Sequence, residues 1–187
     1  MDSIGTMTGE AQGAARRPAD TLLQAAMKGR WEFVCRGPDG VEKWRDSIDN
    51  IVVNAGLDYL LDAGLSAGTP VTTWYLGLVS ATPTVAAGDT MSSHAGWTEV
   101  TAYDEANRVT WSDGGVSSQS VSNSGSPADF TISTNGTQIG GAFLTSNNTK
   151  GGTTGTLYAA GAFTAGNKDL DDGDSIEVTF TATAAAA

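Results

Sequence analysis

The sequence is poor in the residues that chemistry most often uses. One cysteine, Cys35, and one histidine, His94, stand among 187 residues. A lone cysteine cannot close an internal disulfide, and a lone histidine cannot anchor a His-based metal cluster. Bases are scarce as well, 10 Lys plus Arg against 21 Asp plus Glu, for a formal net charge of −11. Nucleic-acid binding depends on neutralising phosphates, so this balance argues against a nucleic-acid partner. Long apolar runs are missing, so no transmembrane helix and no membrane partner are expected. The first ten residues have neither a basic nor an apolar stretch, so no secretory signal is expected. Aromatics make up only 7%, which in a chain rich in Gly and Thr reads as strands and turns and not as a helical bundle.

What is abundant is glycine, 24 residues, about 13% against a usual ~7%, together with threonine and serine. That composition reads as strands and turns. The charges divide the chain in two. Residues 1–46 hold seven bases and seven acids, whereas residues 47–187 hold three bases and fourteen acids. A neutral head therefore precedes an acidic body. Residues 1–30 have few large apolar side chains, and Ala19 to Lys28 has the makings of a short helix stopped by Gly29. Such a segment cannot by itself bury enough surface to offset its ordering entropy. It is expected to be an arm that orders on a partner, with Arg16, Arg17, Lys28 and Arg30 as its docking charges.

The body is expected over residues 31–183. A hairpin opens it over 31–46: Trp31, Phe33 and Cys35 alternate with Glu32, Val34 and Arg36 before the turn Gly37-Pro38-Asp39-Gly40. A short extended segment over 51–53 leads to one helix near 55–63. Asn54 is its expected N-cap, Leu57, Leu60 and Leu61 its apolar face, and Gly64 its stop. From residue 70 onward, candidate strands at 73–79, 107–113, 116–121, 128–132, 138–145, 155–163 and 175–183 are separated by Ser, Thr, Asn, Asp and Gly clusters. This spacing predicts a mainly β fold, an antiparallel β-sandwich of jelly-roll type. Residues 184–187 read as a fraying tail.

Few residues invite chemistry. Asp169, Asp171, Asp172 and Asp174 cluster in one stretch, and clustered oxygens suit a hard cation. A solvated turn explains the same residues, since neither the flanking helices nor the terminal Glu of an EF-hand loop is present. His94 lacks a G-x-S-x-G nucleophile elbow nearby, so it is expected to be a loop histidine bonded to backbone. Cys35, alternating with Trp31 and Phe33, is expected to be a small buried hydrophobe. The aromatics Trp31, Trp44, Trp74, Tyr75, Trp97, Tyr103, Trp111 and Tyr158 would line a sugar groove or fill the sandwich core. Phosphate-loop patterns are absent. No enzyme activity, cofactor or resident metal is expected.

Several stretches resemble a recurrent structural protein of tailed bacteriophages: Asn50-Ile-Val-Val-Asn54-Ala-Gly-Leu57-Asp-Tyr-Leu-Leu61, Trp74-Tyr-Leu-Gly-Leu78, Ala87-Gly-Asp-Thr-Met91 with His94-Ala-Gly-Trp97-Thr-Glu99, and Gly140-Gly-Ala-Phe-Leu144 with Thr153-Thr-Gly-Thr-Leu-Tyr158. The resemblance covers residues 31–182. It implies a virion component, similar to capsid decoration or cement proteins, made in the host cytoplasm and placed on the outer surface of the head. The implied partners are the major capsid protein and further copies of this chain. The alternative role is a receptor- or glycan-binding module of a tail fibre or spike.

Overall fold

The computed structural model describes residues 25–186. The hairpin forms β1 (Ala25–Arg36) and β2 (Glu42–Asp49), followed by β3 (Ile51–Val52) and the helix α1 (Asn54–Leu65). Then come β4 (Trp74–Ser80), β5 (Glu99–Val100), β6 (Val109–Trp111), β7 (Ser120–Ser122) and β8 (Ala128–Thr131). The last four strands are β9 (Thr137–Thr145), β10 (Leu157–Ala162), β11 (Lys168–Leu170) and β12 (Ser175–Ala186).

The strands form two sheets, and every pairing is antiparallel. The first runs β2-β1-β12, with β7 and β8 sharing the far edge of β12; the second runs β3-β10-β9-β4-β5, with β11 on β9 and β6 on β4. Alternation puts Trp31, Phe33, Cys35, Phe130, Ile176, Val178 and Phe180 of the first sheet into one core with Leu76, Leu78, Ile139, Tyr158 and Leu170 of the second. The mainly β antiparallel sandwich expected from the sequence is the observed architecture. Gly161 lets the sheets close up: a Cβ there would stand 2.9 Å from the Trp31 ring and 3.0 Å from Ile48.

The second sheet is covered on its outer side as well. Val53, Val79, Met91, Trp97, Phe143, Leu157 and Ala160 form a second apolar cluster beneath the 81–98 segment. Strands buried on both faces read as continuous apolar runs, which is why β4 and β9 lack alternation. Among the described residues the outer face of the first sheet is mainly polar, with Glu32, Arg45, Glu177 and Thr179 beside Val34.

Two expected boundaries are corrected. β1 begins at Ala25, not at residue 31, and β12 continues to Ala186, not to 183; the register runs unbroken from Ala25↔Ala186 to Arg36↔Ser175. Each segment is weak as a strand, and each supplies the other's ladder. Residues 25–28 are therefore strand where a helix was expected, and Lys28 and Arg30 belong to the body. Residues 1–24, with Arg16 and Arg17, lie outside the described residues.

Candidate interaction surface

The helix is set by a close backbone approach. Val53 donates its N–H to the Tyr158 carbonyl at 3.1 Å, and Gly56 rests against that same carbonyl, where a Cβ would collide with it. Only small residues tolerate that contact, so the inward face consists of Ala55, Gly56 and Ala63 with the half-buried Tyr59 and Leu60. The expected N-cap is corrected here. Val53 occupies the cap position without a side-chain cap, while the Asn54 N–H is met by the Ala87 carbonyl at 2.8 Å. A loop carbonyl satisfies one of the orphan donors of the first turn. The expected stop is also displaced: the helix passes Gly64 to Leu65, and Ala67 at φ 58° turns the chain back, with Ser66 and Gly68 N–H groups both on the Asp62 carbonyl.

The main correction concerns the leucines. At about 100° per residue, an inward face centred near Ala63 and Gly56 places Leu57, Leu61 and Leu65 in one line on the opposite side. They are 38%, 59% and 84% exposed. Only Leu60 of the expected face packs on the core. The helix is thus apolar on two sides, and the leucine side has nothing over it among the described residues. Asp58 and Asp62 flank that line, both exposed.

Behind α1 the sandwich end holds an apolar cavity of about 230 Å³, walled by Tyr59, Leu60, Trp74, Trp111, Tyr158 and Phe180. Its rings form an edge-on series, Tyr59 to Trp74 at 5.1 Å, Trp74 to Tyr158 at 5.5 Å and Tyr158 to Phe180 at 6.3 Å. Burial pushes the Tyr158 phenol above its usual range, with Tyr59 adding to the rise. The Trp111 indole N–H donates to the Phe180 carbonyl at 3.2 Å. Trp31, Trp97, Tyr103, Trp111 and Tyr158 are buried. Trp44, Trp74 and Tyr75 are half-buried. Among the described residues the exposed large hydrophobics are all aliphatic: Val41, Ile51, Leu57, Leu61, Leu65 and Val116.

The acidic stretch is a turn that closes on a lysine. Asp174 is 1% exposed. Its Oδ2 accepts from Lys43 Nζ at 2.7 Å and from the Asp171 N–H at 2.9 Å. Asp171 adds a carboxylate 3.6 Å from the same ammonium, and the bond to Asp174 holds the Lys43 amine above its usual range. Asp169 is drawn away to Gln138 Nε2 at 2.6 Å, and the Asp172 N–H donates to Asn135. Among the described residues no group of three His, Cys, Asp or Glu side chains is placed to hold a metal. The ammonium of Lys43 supplies the positive charge in this turn.

His94 stacks on Trp97 at 3.9 Å and donates its Nδ1–H to the Trp97 carbonyl at 2.9 Å. Asp89, the nearest acid in that loop, accepts instead from the Trp97 indole at 2.9 Å. Cys35 is buried, and its thiol is pushed up to about 11, first by burial and then by Asp174. Arg30 is spent on its own sheet, donating to Ser47 at 2.6 Å with Asp49 at 3.4 Å; Lys28 is exposed.

Sequence reasoning missed the buried ion pair of Arg108 and Glu99. Arg108 Nη2 meets Glu99 Oε2 at 2.7 Å and Nε meets Oε1 at 2.9 Å. Its remaining donors reach the Asn147 and Gly152 carbonyls at 2.9 Å and 2.6 Å, which pins the loop between β9 and β10. The available signal was a single arginine inside a strand pattern in the base-poor half of the chain. Compared with known protein families, curated proteins and solved structures, the chain matches none of them. No described helix is long and apolar enough to cross a membrane.

Proposed function

We propose that this chain is a non-enzymatic decoration, or cement, protein of a tailed-phage head, bound on the outer surface to the major capsid protein lattice. The observation that carries the reading is the exposed line of Leu57, Leu61 and Leu65 on a strongly acidic body. Three leucines exposed in one line on a charged surface give a small apolar strip on which a partner can dock. The acid keeps free copies apart in solution, while the strip supplies a face for docking. Residues 1–24, with Arg16 and Arg17, add a second contact, and two linked contacts give avidity that neither has alone. Binding the assembled lattice and not its separated subunits shifts the assembly equilibrium toward the shell.

The rival reading, a receptor- or glycan-binding tail module, needs aromatic platforms open to a sugar. Among the described residues the exposed large hydrophobics are aliphatic, which supports protein docking over glycan stacking. The test is thermal genome release from intact particles and from particles stripped of this protein. Release at a lower temperature from stripped particles is expected. Equal release temperatures would retire the stabilising role.

A further inference from the structure

The leucine line on α1 has an uneven border, and the border specifies what covers it. Asp58 and Asp62 run along one side of Leu57, Leu61 and Leu65 at successive turns. The helix sequence contains no Lys or Arg, and no base stands in its last turn. The negative end of the helix dipole therefore lies uncompensated by its own side chains where Leu65 is 84% exposed. The surface is an apolar strip with an acidic edge and a negative end.

We infer that the occupant is an amphipathic segment of another protein, with apolar side chains flanked by Lys or Arg, laid along α1. This rests on reading α1 as a contact face but not on the identity of the lattice. A second copy of this chain fits poorly. An antiparallel pairing of two such faces would bring Asp58 and Asp62 to the same edge as their counterparts, and a parallel pairing would set two negative helix ends together; in either case like charges across the interface oppose it. The size of the strip agrees. A helix of this length is ~18 Å long, and one side of it offers roughly 200 Å², about a quarter of what one partner gives to a stable standard interface. The contact is thus one of several that act together, and it takes its selectivity from charge. An anionic membrane surface is disfavoured by the same acids.

The full-length protein is titrated with a short helical peptide of Leu and Lys at amphipathic spacing, with a Leu/Glu peptide of the same pattern as comparison. The Leu/Lys peptide is expected to bind, to shift the amide resonances of residues 54–65, and to weaken as salt is raised. Leu61→Gln with Leu65→Gln keeps the charge and the fold, because both side chains are solvent-exposed, and should weaken binding about ten-fold or more. Asp58→Asn with Asp62→Asn should flatten the salt dependence. The inference is overturned if the Gln variant binds equally well, since charge alone would then explain the binding. It is also overturned if the Leu/Glu peptide binds as tightly, if the free protein dimerises through Leu61, or if phosphatidylcholine vesicles are bound in the peptide's place. Peptide binding on α1 by a protein that is absent from phage heads would keep this inference and end the decoration reading. Presence on heads, with head binding unchanged in the Gln variant, would do the reverse.

Discussion

Asn123 should be the most costly single polar side chain to remove from the first sheet. β12 pairs with β8 over Ser175–Val178 and with β7 over Thr181–Thr183, which leaves a gap at Thr179 and Phe180. The fully buried Asn123 fills it, its Nδ2 donating to the Val178 carbonyl at 3.0 Å and its Oδ1 accepting from the Phe180 N–H at 2.7 Å. One carboxamide thus stands in for a residue of a missing strand. Asn123→Leu keeps the size but orphans a buried donor and a buried acceptor, at about 1–3 kcal/mol each. A loss near 4 kcal/mol is expected, against a total stability of roughly 5–15 kcal/mol, with a fall in Tm of about 10 °C. Urea and thermal unfolding followed by circular dichroism measure both. Asn123→Asp is the matched control: ionised, it sets an oxygen against the Val178 carbonyl, whereas protonated it donates there again. Its folded pKa is therefore raised, so its deficit against wild type should be small below the unfolded carboxyl pKa and should grow as pH rises through the folded one. A loss under about 1 kcal/mol for Asn123→Leu, or a pH-independent deficit for Asn123→Asp, would refute the surrogate-strand reasoning.

Removing one partner of the Arg108–Glu99 pair strands a buried charge, so Arg108→Met should cost about 3–5 kcal/mol in chemical denaturation, and Arg108→Met with Glu99→Gln should cost less than Arg108→Met alone. Asp129 has its carboxyl raised by burial first, then by Glu177 and Glu105. The stability it contributes is present at acid pH and lost as pH rises through its folded pKa. Asp129→Asn should therefore stabilise at neutral pH and not at acid pH, by less than about 1 kcal/mol because the side chain is exposed to screening solvent. Cys35, buried and with its thiol pushed up to about 11, should not react with a thiol reagent in the native protein and should react fully after unfolding; rapid native labelling would contradict its place in the core.

Much of the architecture was legible because the alternating period is local. Trp31, Phe33 and Cys35 all turn inward as their spacing requires, and Gly40 at φ 78° closes the expected turn. β5 and β11, of two and three residues, carry too few positions to show a period. The ends of β1 and β12 were missed because Ala, Thr and Gly signal a strand only when the partner strand is known. The helix face was misread since leucine spacing does not reveal that a carbonyl of β10 presses on Gly56, which forces the small residues inward and the leucines out. Lys43 meets Asp174 across 131 residues of sequence, a pairing no local pattern can carry. Asn123 was silent for the same reason.

The central proposal is that the chain coats a phage head. Purified virions, resolved by quantitative gel for the copy number of this chain and by immunogold for its position, test that directly. Label over the whole head and a copy number that tracks that of the major capsid protein are expected. A few copies per particle, with label confined to the tail tip, would contradict it and favour the receptor-binding module.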